Sequence, residues 1–187
     1  VRAALDAVFP ADKIVFAGVG KADWEINLGL DNDIFCFNVE SAVELGIINE
    51  LAAAKNKVAS IALRINPEVD AHTHAKITTG MKENKFGINL SQLGGVLDKL
   101  KEMKNVKLIG IHSHIGSQIT DMSSFRNLVI RFNEIQEELE AHGVTVENLN
   151  FGGGLGIDYY HPNHLSIPAF DNYFAAIHKL LQVRPGQ

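Results

Sequence analysis

The sequence has little of several features that would place it in a specialised class of protein. It holds one cysteine in 187 residues, so no disulfide can form within the chain. That residue, Cys36, lies inside the apolar run IFCFNV, which predicts a buried, inert thiol. No apolar run approaches the roughly 20 residues of a membrane span, and the start VRAALDAVFP shows no targeting pattern. We therefore expect a cytoplasmic protein without a membrane partner.

An excess of positive charge is also missing. The chain has 17 Lys and Arg against 22 Asp and Glu, a net charge of -5, and a calculated pI near 5.9. The basic residues are scattered and form no stripe, which argues against nucleic acid as a partner. With 46% apolar and 21% charged residues, the composition is that of a globular protein with one sizeable core.

Short β-branched and aromatic runs alternate with stretches of helical periodicity. The runs are IVFAGV (14–19), IFCFNV (34–39), ASIALRIN (59–66), VKLIGIHSH (106–114) and VENLNF (146–151). Apolar stripes at helical spacing follow Ser41, Ser91 and Ser124, which are plausible N-caps. Five strand-then-helix units imply right-handed crossovers and a parallel sheet covered by helices. The predicted fold class is α/β.

Two α/β architectures fit this alternation. An open, doubly wound sheet of five strands suits the length, whereas a closed (β/α)8 barrel needs about 250 residues, so this chain would be only part of one. The periodicity leaves both open. Both ends of the sequence look cut, because it starts on a helix-like segment with no strand before it and stops shortly after another helix.

Polar residues follow the strands, at the sheet edge where both architectures bind ligands. His112 and His114 could be a metal pair, although hydrogen-bonded histidines are commoner. The glycines of GGGLG (152–156) could form a phosphate-binding nest or a plain tight turn. Lys21 could be a Schiff-base lysine at a strand end, but a solvated lysine at the rim is the default expectation. Arg64, at the end of an apolar strand, would need a buried or anionic partner.

Taken together, five segments resemble one enzyme family. FAGVGKADWEINLGL, FNVES, LRINPEVDAHTHAKITTGMKENKFGI, GIHSHIGSQI and NFGGGLGIDY occur in the order and at the spacing seen in diaminopimelate decarboxylases. These are pyridoxal-phosphate enzymes with the (β/α)8 TIM barrel of the alanine-racemase type. The resemblance extends over essentially the whole chain. It implies that residues 1–187 are a partial pyridoxal-phosphate-binding barrel domain with about five strand–helix units.

The resemblance implies roles for individual residues. His114 corresponds to the histidine that stacks on the cofactor ring and is the catalytic candidate, and Ser117 to a serine that helps to hold the phosphate. Gly152, Gly153 and Gly154 match the phosphate-binding glycines, and Arg64 matches an arginine near the cofactor. No metal is implied. The segment 67–87, with Thr79, Gly80, Lys85, Phe86 and Gly87, resembles the active-site loop, but its residues receive no individual roles.

The reaction implied is decarboxylation of meso-diaminopimelate to lysine, the last step of lysine biosynthesis, in a full-length homodimer. The lysine that forms the Schiff base, the acidic residue that pairs with the ring nitrogen and the C-terminal β domain have no match in this sequence. We therefore expect a central fragment that is inactive alone. The alternatives are another amino-acid decarboxylase, of the ornithine or arginine type, or a racemase of the same fold. More distant alternatives are a metal-dependent barrel hydrolase and a non-catalytic domain that binds a phosphate ligand.

Overall fold

The computed structural model describes residues 1–69, 86–161 and 170–187. The chain forms two compact units. The first unit comprises Val1–Ile65, Phe86–His112 and Val146–Leu149, and the second unit comprises Asn66–Lys85, Ser113–Thr145 and Asn150–Gln187. Each unit is described by itself below.

The described residues alternate between strands and helices as the sequence predicts. The strands are β1 (Val15–Phe16), β2 (Cys36–Val39), β3 (Ala59–Asn66), β4 (Ile88–Asn89), β5 (Val106–His112) and β6 (Asn148–Asn150). The helices are α1 (Arg2–Asp6), α2 (Asp23–Asp31), α3 (Ala42–Ala54), α4 (Leu90–Glu102), α5 (Met122–Ala141) and α6 (Phe170–Leu180), with a 3-10 turn at Ala11–Lys13.

The strands form a sheet in the order β1-β2-β3-β5-β6, with β4 paired to β3 beside this path. β1 with β2, β2 with β3, and β3 with β5 are parallel pairs, and Arg64 lies opposite His112 in the last of these. Along the main path each strand lies next to its predecessor and successor, as in (β/α)8 barrels, whereas doubly wound sheets reverse direction at a switch point. The predicted α/β class is confirmed.

Element boundaries differ from the prediction in ways that hydrogen bonding explains. β3 has the predicted bounds, but β5 ends at His112 rather than at residue 114, because its last paired residue lies opposite Arg64. The two histidines are therefore not both in one strand. Ser41 caps α3 as predicted, whereas α4 begins after Asn89 and α5 after Asp121, whose carboxylate accepts the Ser123 N–H.

The predicted helical stripes form the cores. The α5 stripe is buried at every predicted position, which are Phe125, Leu128, Val129, Phe132, Ile135 and Leu139. In the first unit, the buried side chains of α3 and α4 include Leu45, Ile48, Leu93 and Leu97. Within the described ranges, no helix is both long and apolar enough to cross a membrane.

Candidate functional site

Arg64 is a buried cation near the carboxyl end of β3, and it has the anionic partner that the sequence requires. Its Nη1 lies 2.5 Å from Oε2 of Glu40, and both side chains are almost fully buried. The Phe86 ring centre is 6.0 Å from the guanidinium carbon, and the Gly87 N–H donates to the Glu40 carbonyl oxygen at 3.0 Å. The expectation of a buried or anionic partner is confirmed by Glu40, and the pair lies where β2 and β3 end.

Lys21 corrects the prediction of a solvated rim lysine. Only 1% of its side chain is exposed, and its Nζ lies 2.5 Å from Oε1 of Glu44. The same ammonium donates to the carbonyl oxygens of Gly18 at 2.8 Å and Asn38 at 2.7 Å. Three acceptors satisfy its three N–H groups. Because all its N–H groups are used, the Lys21 ammonium links the end of β1 to β2 and α3. It is not an available nucleophile.

Glu44 is a residue to which sequence reasoning gave no role. Burial raises the pKa of its carboxyl, and the Lys21 ammonium opposes that shift. Its backbone N–H donates to Oγ of the N-cap Ser41 at 3.1 Å, and its carboxylate accepts the Glu40 N–H at 3.4 Å. Ser-x-x-Glu directly after a buried strand is the capping-box signature, which is the signal that could have identified it. Glu44 thus contacts both Lys21, its ion-pair partner, and the backbone of Glu40, which is the ion-pair partner of Arg64.

His114 is half-buried in the second unit, just after the end of β5. Its Nδ1 lies 2.9 Å from the carbonyl oxygen of Gly152. Because a carbonyl only accepts hydrogen bonds, Nδ1 carries the proton, and the bond fixes the orientation of the ring. The structure therefore joins two of the predicted site residues, the histidine and the first glycine of the turn.

The glycine turn has a backbone that only glycine adopts easily. Gly152, Gly153 and Gly154 have φ of 76°, 70° and 90°. A Cβ on Gly152 would lie 2.0 Å from the Ser113 carbonyl oxygen, and one on Gly154 would lie 2.1 Å from that of Gly116. Consecutive left-handed residues with no side chains place backbone N–H groups where an anion can approach.

Two of the three N–H groups in this turn are available as donors. The Gly152 N–H donates to Oδ1 of Asn150 at 2.9 Å, an Asx turn that the sequence analysis did not identify. Within the described parts of the chain, the N–H groups of Gly153 and Gly154 have no acceptor. The residues therefore fit a phosphate group, whose oxygens need such donors.

Ser117 is exposed and lies on the segment that pairs with the end of the glycine turn. Ile119 forms a parallel bridge with Leu155, through its N–H to the Gly154 carbonyl at 2.9 Å and its own carbonyl to the Gly156 N–H at 2.8 Å. Gly116, the residue before Ser117, has its carbonyl oxygen packed closely against Gly154. Ser117 is thus held beside the glycine turn.

The other residues that the sequence analysis singled out do not belong to this group around the glycine turn. Arg64 belongs to the first unit, whereas His114, Ser117 and the three glycines belong to the second unit. Cys36 is buried, and burial raises the pKa of its thiol to about 12, which confirms the prediction of an inert core residue. Within the described ranges, no three His, Cys, Asp or Glu side chains form a group that could hold a metal ion. Thr79, Gly80 and Lys85 lie outside the described residues.

Comparison with known proteins relates these features to one family. The family model described as pyridoxal-dependent decarboxylase, pyridoxal binding domain, matches residues 1–185. The chain belongs to this family. Its membership agrees with the resemblance of the motifs that contain His114, Ser117 and the glycine turn.

Two of the most similar curated relatives are diaminopimelate decarboxylases. The diaminopimelate decarboxylase of Bacteroides thetaiotaomicron is 63% identical over all 187 residues, which cover 48% of that protein. The diaminopimelate decarboxylase of Haemophilus influenzae is 45% identical over 149 residues, 80% of this chain and 36% of that protein.

A solved structure supports the fold. The crystal structure of diaminopimelate decarboxylase from Helicobacter pylori complexed with L-lysine superposes with a TM-score of 0.87 at 36% identity. The match covers 97% of this chain and 45% of that one. The chain therefore spans about half the length, or less, of these relatives.

Proposed function

We propose that the protein carrying this chain is a pyridoxal-phosphate-dependent carboxy-lyase that converts meso-diaminopimelate to L-lysine. In this proposal, residues 1–187 are part of its cofactor-binding barrel domain. The observation that carries the proposal is the glycine turn with two available N–H donors, hydrogen-bonded through Gly152 to a single oriented imidazole, that of His114. The 63% identity to a diaminopimelate decarboxylase over the whole chain supports the choice of substrate.

Each candidate residue has a physical role in this proposal. The N–H groups of Gly153 and Gly154 and the Ser117 hydroxyl donate hydrogen bonds to the cofactor phosphate. The His114 ring, oriented by its bond to Gly152, would stack on the cofactor ring and so fix its position. Arg64 is paired with Glu40, and the family resemblance implies that it serves near the cofactor.

The chemistry that pyridoxal phosphate supplies when bound is an electron sink for the pair left on the α-carbon as carbon dioxide departs. The residues of this chain supply binding and orientation. The backbone donors of the glycine turn would hold the phosphate and the His114 imidazole would cover the ring, and such positioning is the main contribution of a protein to this kind of reaction.

The deciding experiment offers meso-diaminopimelate, ornithine and arginine to the full-length protein with pyridoxal phosphate, and measures carbon dioxide release and the amine formed. We expect carbon dioxide and lysine from diaminopimelate alone. Turnover of ornithine or arginine in its place would assign the protein to a neighbouring branch. Cofactor binding with no carbon dioxide from any of the three would favour a non-catalytic phosphate-binding domain.

The proposal extends to assembly and location. We expect a homodimer in the cytoplasm, because the resemblance implies the dimer and the single buried cysteine suits a reducing compartment. Light scattering of the full-length protein and cell fractionation test these two points.

A further inference from the structure

Gln118 has a backbone conformation that is uncommon for its residue type. Its φ is 59°, in the left-handed region where a Cβ crowds the backbone and where glycine is the usual residue. Strain of this kind persists only where the surrounding structure imposes it, and it concentrates at functional sites. The residue follows Ser117 directly.

The side chain of Gln118 shows what imposes the conformation. Its Nε2 donates to the carbonyl oxygen of Ile157, and its Oε1 accepts the Ile157 N–H at 3.1 Å. Both polar atoms of the amide are used on the backbone of one residue. This bidentate pairing imitates a pair of strand hydrogen bonds and sets distance and orientation together.

The pairing extends a ladder that borders the candidate phosphate site. Next to it, Ile119 exchanges backbone hydrogen bonds with Gly154 and Gly156. The amide of Gln118 adds a further rung at Ile157, so the segment that begins at Ser117 is joined to the segment that begins at the glycine turn. A change in this register would move the Ser117 hydroxyl relative to the N–H groups of Gly153 and Gly154.

We propose that Gln118 is a positioning residue whose side-chain amide, by clamping the Ile157 backbone, holds Ser117 and the glycine turn at the separation required to grip a phosphate group. The inference rests on the proposed function, since the phosphate is that of the cofactor. In this proposal the side chain of Gln118 acts on the phosphate through Ser117 and the glycine turn. Its effect is therefore specific to ligands that carry a phosphate.

The test compares pyridoxal phosphate with pyridoxal, which has the same ring and aldehyde but no phosphate. Calorimetric titration of the full-length protein gives a Kd for each ligand, and their ratio measures the grip on the phosphate. Gln118→Glu keeps the size of the side chain but replaces its N–H donor by a carboxylate oxygen that faces the Ile157 carbonyl. We expect Gln118→Glu to weaken pyridoxal phosphate at least tenfold and pyridoxal less than twofold.

Gln92→Glu is the matched control. It makes the same chemical change on an exposed residue of the first unit. There the Gln92 oxygen accepts the Asn89 N–H at the start of α4, a role that a carboxylate keeps. We expect both affinities of Gln92→Glu to stay within twofold of the wild type. If Gln92→Glu also lost its preference for pyridoxal phosphate over pyridoxal, the added negative charge alone would explain the result for Gln118→Glu. The proposal would then be overturned.

A second variant distinguishes the effect of the amide hydrogen bonds from that of the strained backbone. It also provides a test if Gln118→Glu does not fold. Gln118→Gly relieves the left-handed φ and removes the amide, so the proposal expects the same selective loss of pyridoxal phosphate affinity. An unchanged ratio in a folded Gln118 variant, or an equal loss for both ligands, overturns the positioning role while the proposed function stands. A wild-type protein with no preference for pyridoxal phosphate over pyridoxal overturns both.

Discussion

The two units treat the polar residues that follow their strands in opposite ways. In the first unit, Lys21 with Glu44 and Arg64 with Glu40 form ion pairs that are almost completely buried. In the second unit, His114 is half-buried, Ser117 is exposed and the glycine turn keeps two N–H donors available. Position at a strand end therefore does not by itself make a residue reactive. The first unit buries its charged side chains in pairs, whereas the second unit has exposed or half-buried groups that a ligand can reach.

The largest expected effect tests the close packing of the glycine turn. Gly152→Ala would place a Cβ 2.0 Å from the Ser113 carbonyl oxygen, so we expect a loss of about 5 kcal/mol or more in the free energy of unfolding. Gly143→Ala is the control, because Gly143 shares the positive φ but has open space around it. It should cost about 1–2 kcal/mol. Chemical denaturation measures both, and equal losses would contradict the packing argument.

The second prediction tests the cost of leaving one charge of a buried pair without its partner. Glu44→Ala leaves the Lys21 ammonium buried without its carboxylate, which should cost about 3–5 kcal/mol in unfolding free energy. Asp33→Ala removes a carboxylate whose side chain is 80% exposed beside Lys57, and should cost under about 1 kcal/mol. Urea titration of both variants makes the comparison. Similar small losses would mean that burial adds nothing to the Lys21 pair.

A third prediction concerns the accessible groups of the second unit. His114→Ala removes the imidazole that binds Gly152 and, in the proposed function, covers the cofactor ring. We expect kcat/KM of the full-length protein to fall about 100-fold, equivalent to about 2.7 kcal/mol. His142 also places Nδ1 2.9 Å from a carbonyl oxygen, that of Glu138 at the end of α5. His142→Ala should retain kcat/KM, and an equal fall in both variants would reduce His114 to a structural residue.

The smallest effect follows from Cys36. Burial raises the pKa of its thiol from 9.0 to about 12, so between these values the folded state holds a proton that the unfolded state releases. Stability is therefore lost as pH rises above 9, by roughly 1 kcal/mol at pH 10. Unfolding free energies at pH 8 and pH 10 should differ by about this amount more in the wild type than in Cys36→Ala. Identical differences would show that the thiol is not buried in solution.

Local patterns in the sequence predicted some features closely and others poorly. The bounds of β3 and the buried stripe of α5 were correct, because a long apolar run and a helical repeat record burial directly. The predicted caps of α4 and α5 were wrong by two and three residues, since several polar residues near each start could serve as caps. The solvated state assigned to Lys21 was wrong, because Glu44 lies 23 residues away and only packing brings it close.

The sequence by itself determined the α/β class, the need of Arg64 for a buried or anionic partner and the inert thiol of Cys36, since each follows from the chemistry of a residue and its neighbours in the chain. Family resemblance added His114, Ser117 and the glycines as a set. Only the tertiary structure decided which groups meet: Glu40 with Arg64, Gly152 with His114, and Ile157 with Gln118. These contacts join residues 24 to 39 positions apart, and no local periodicity encodes such distances.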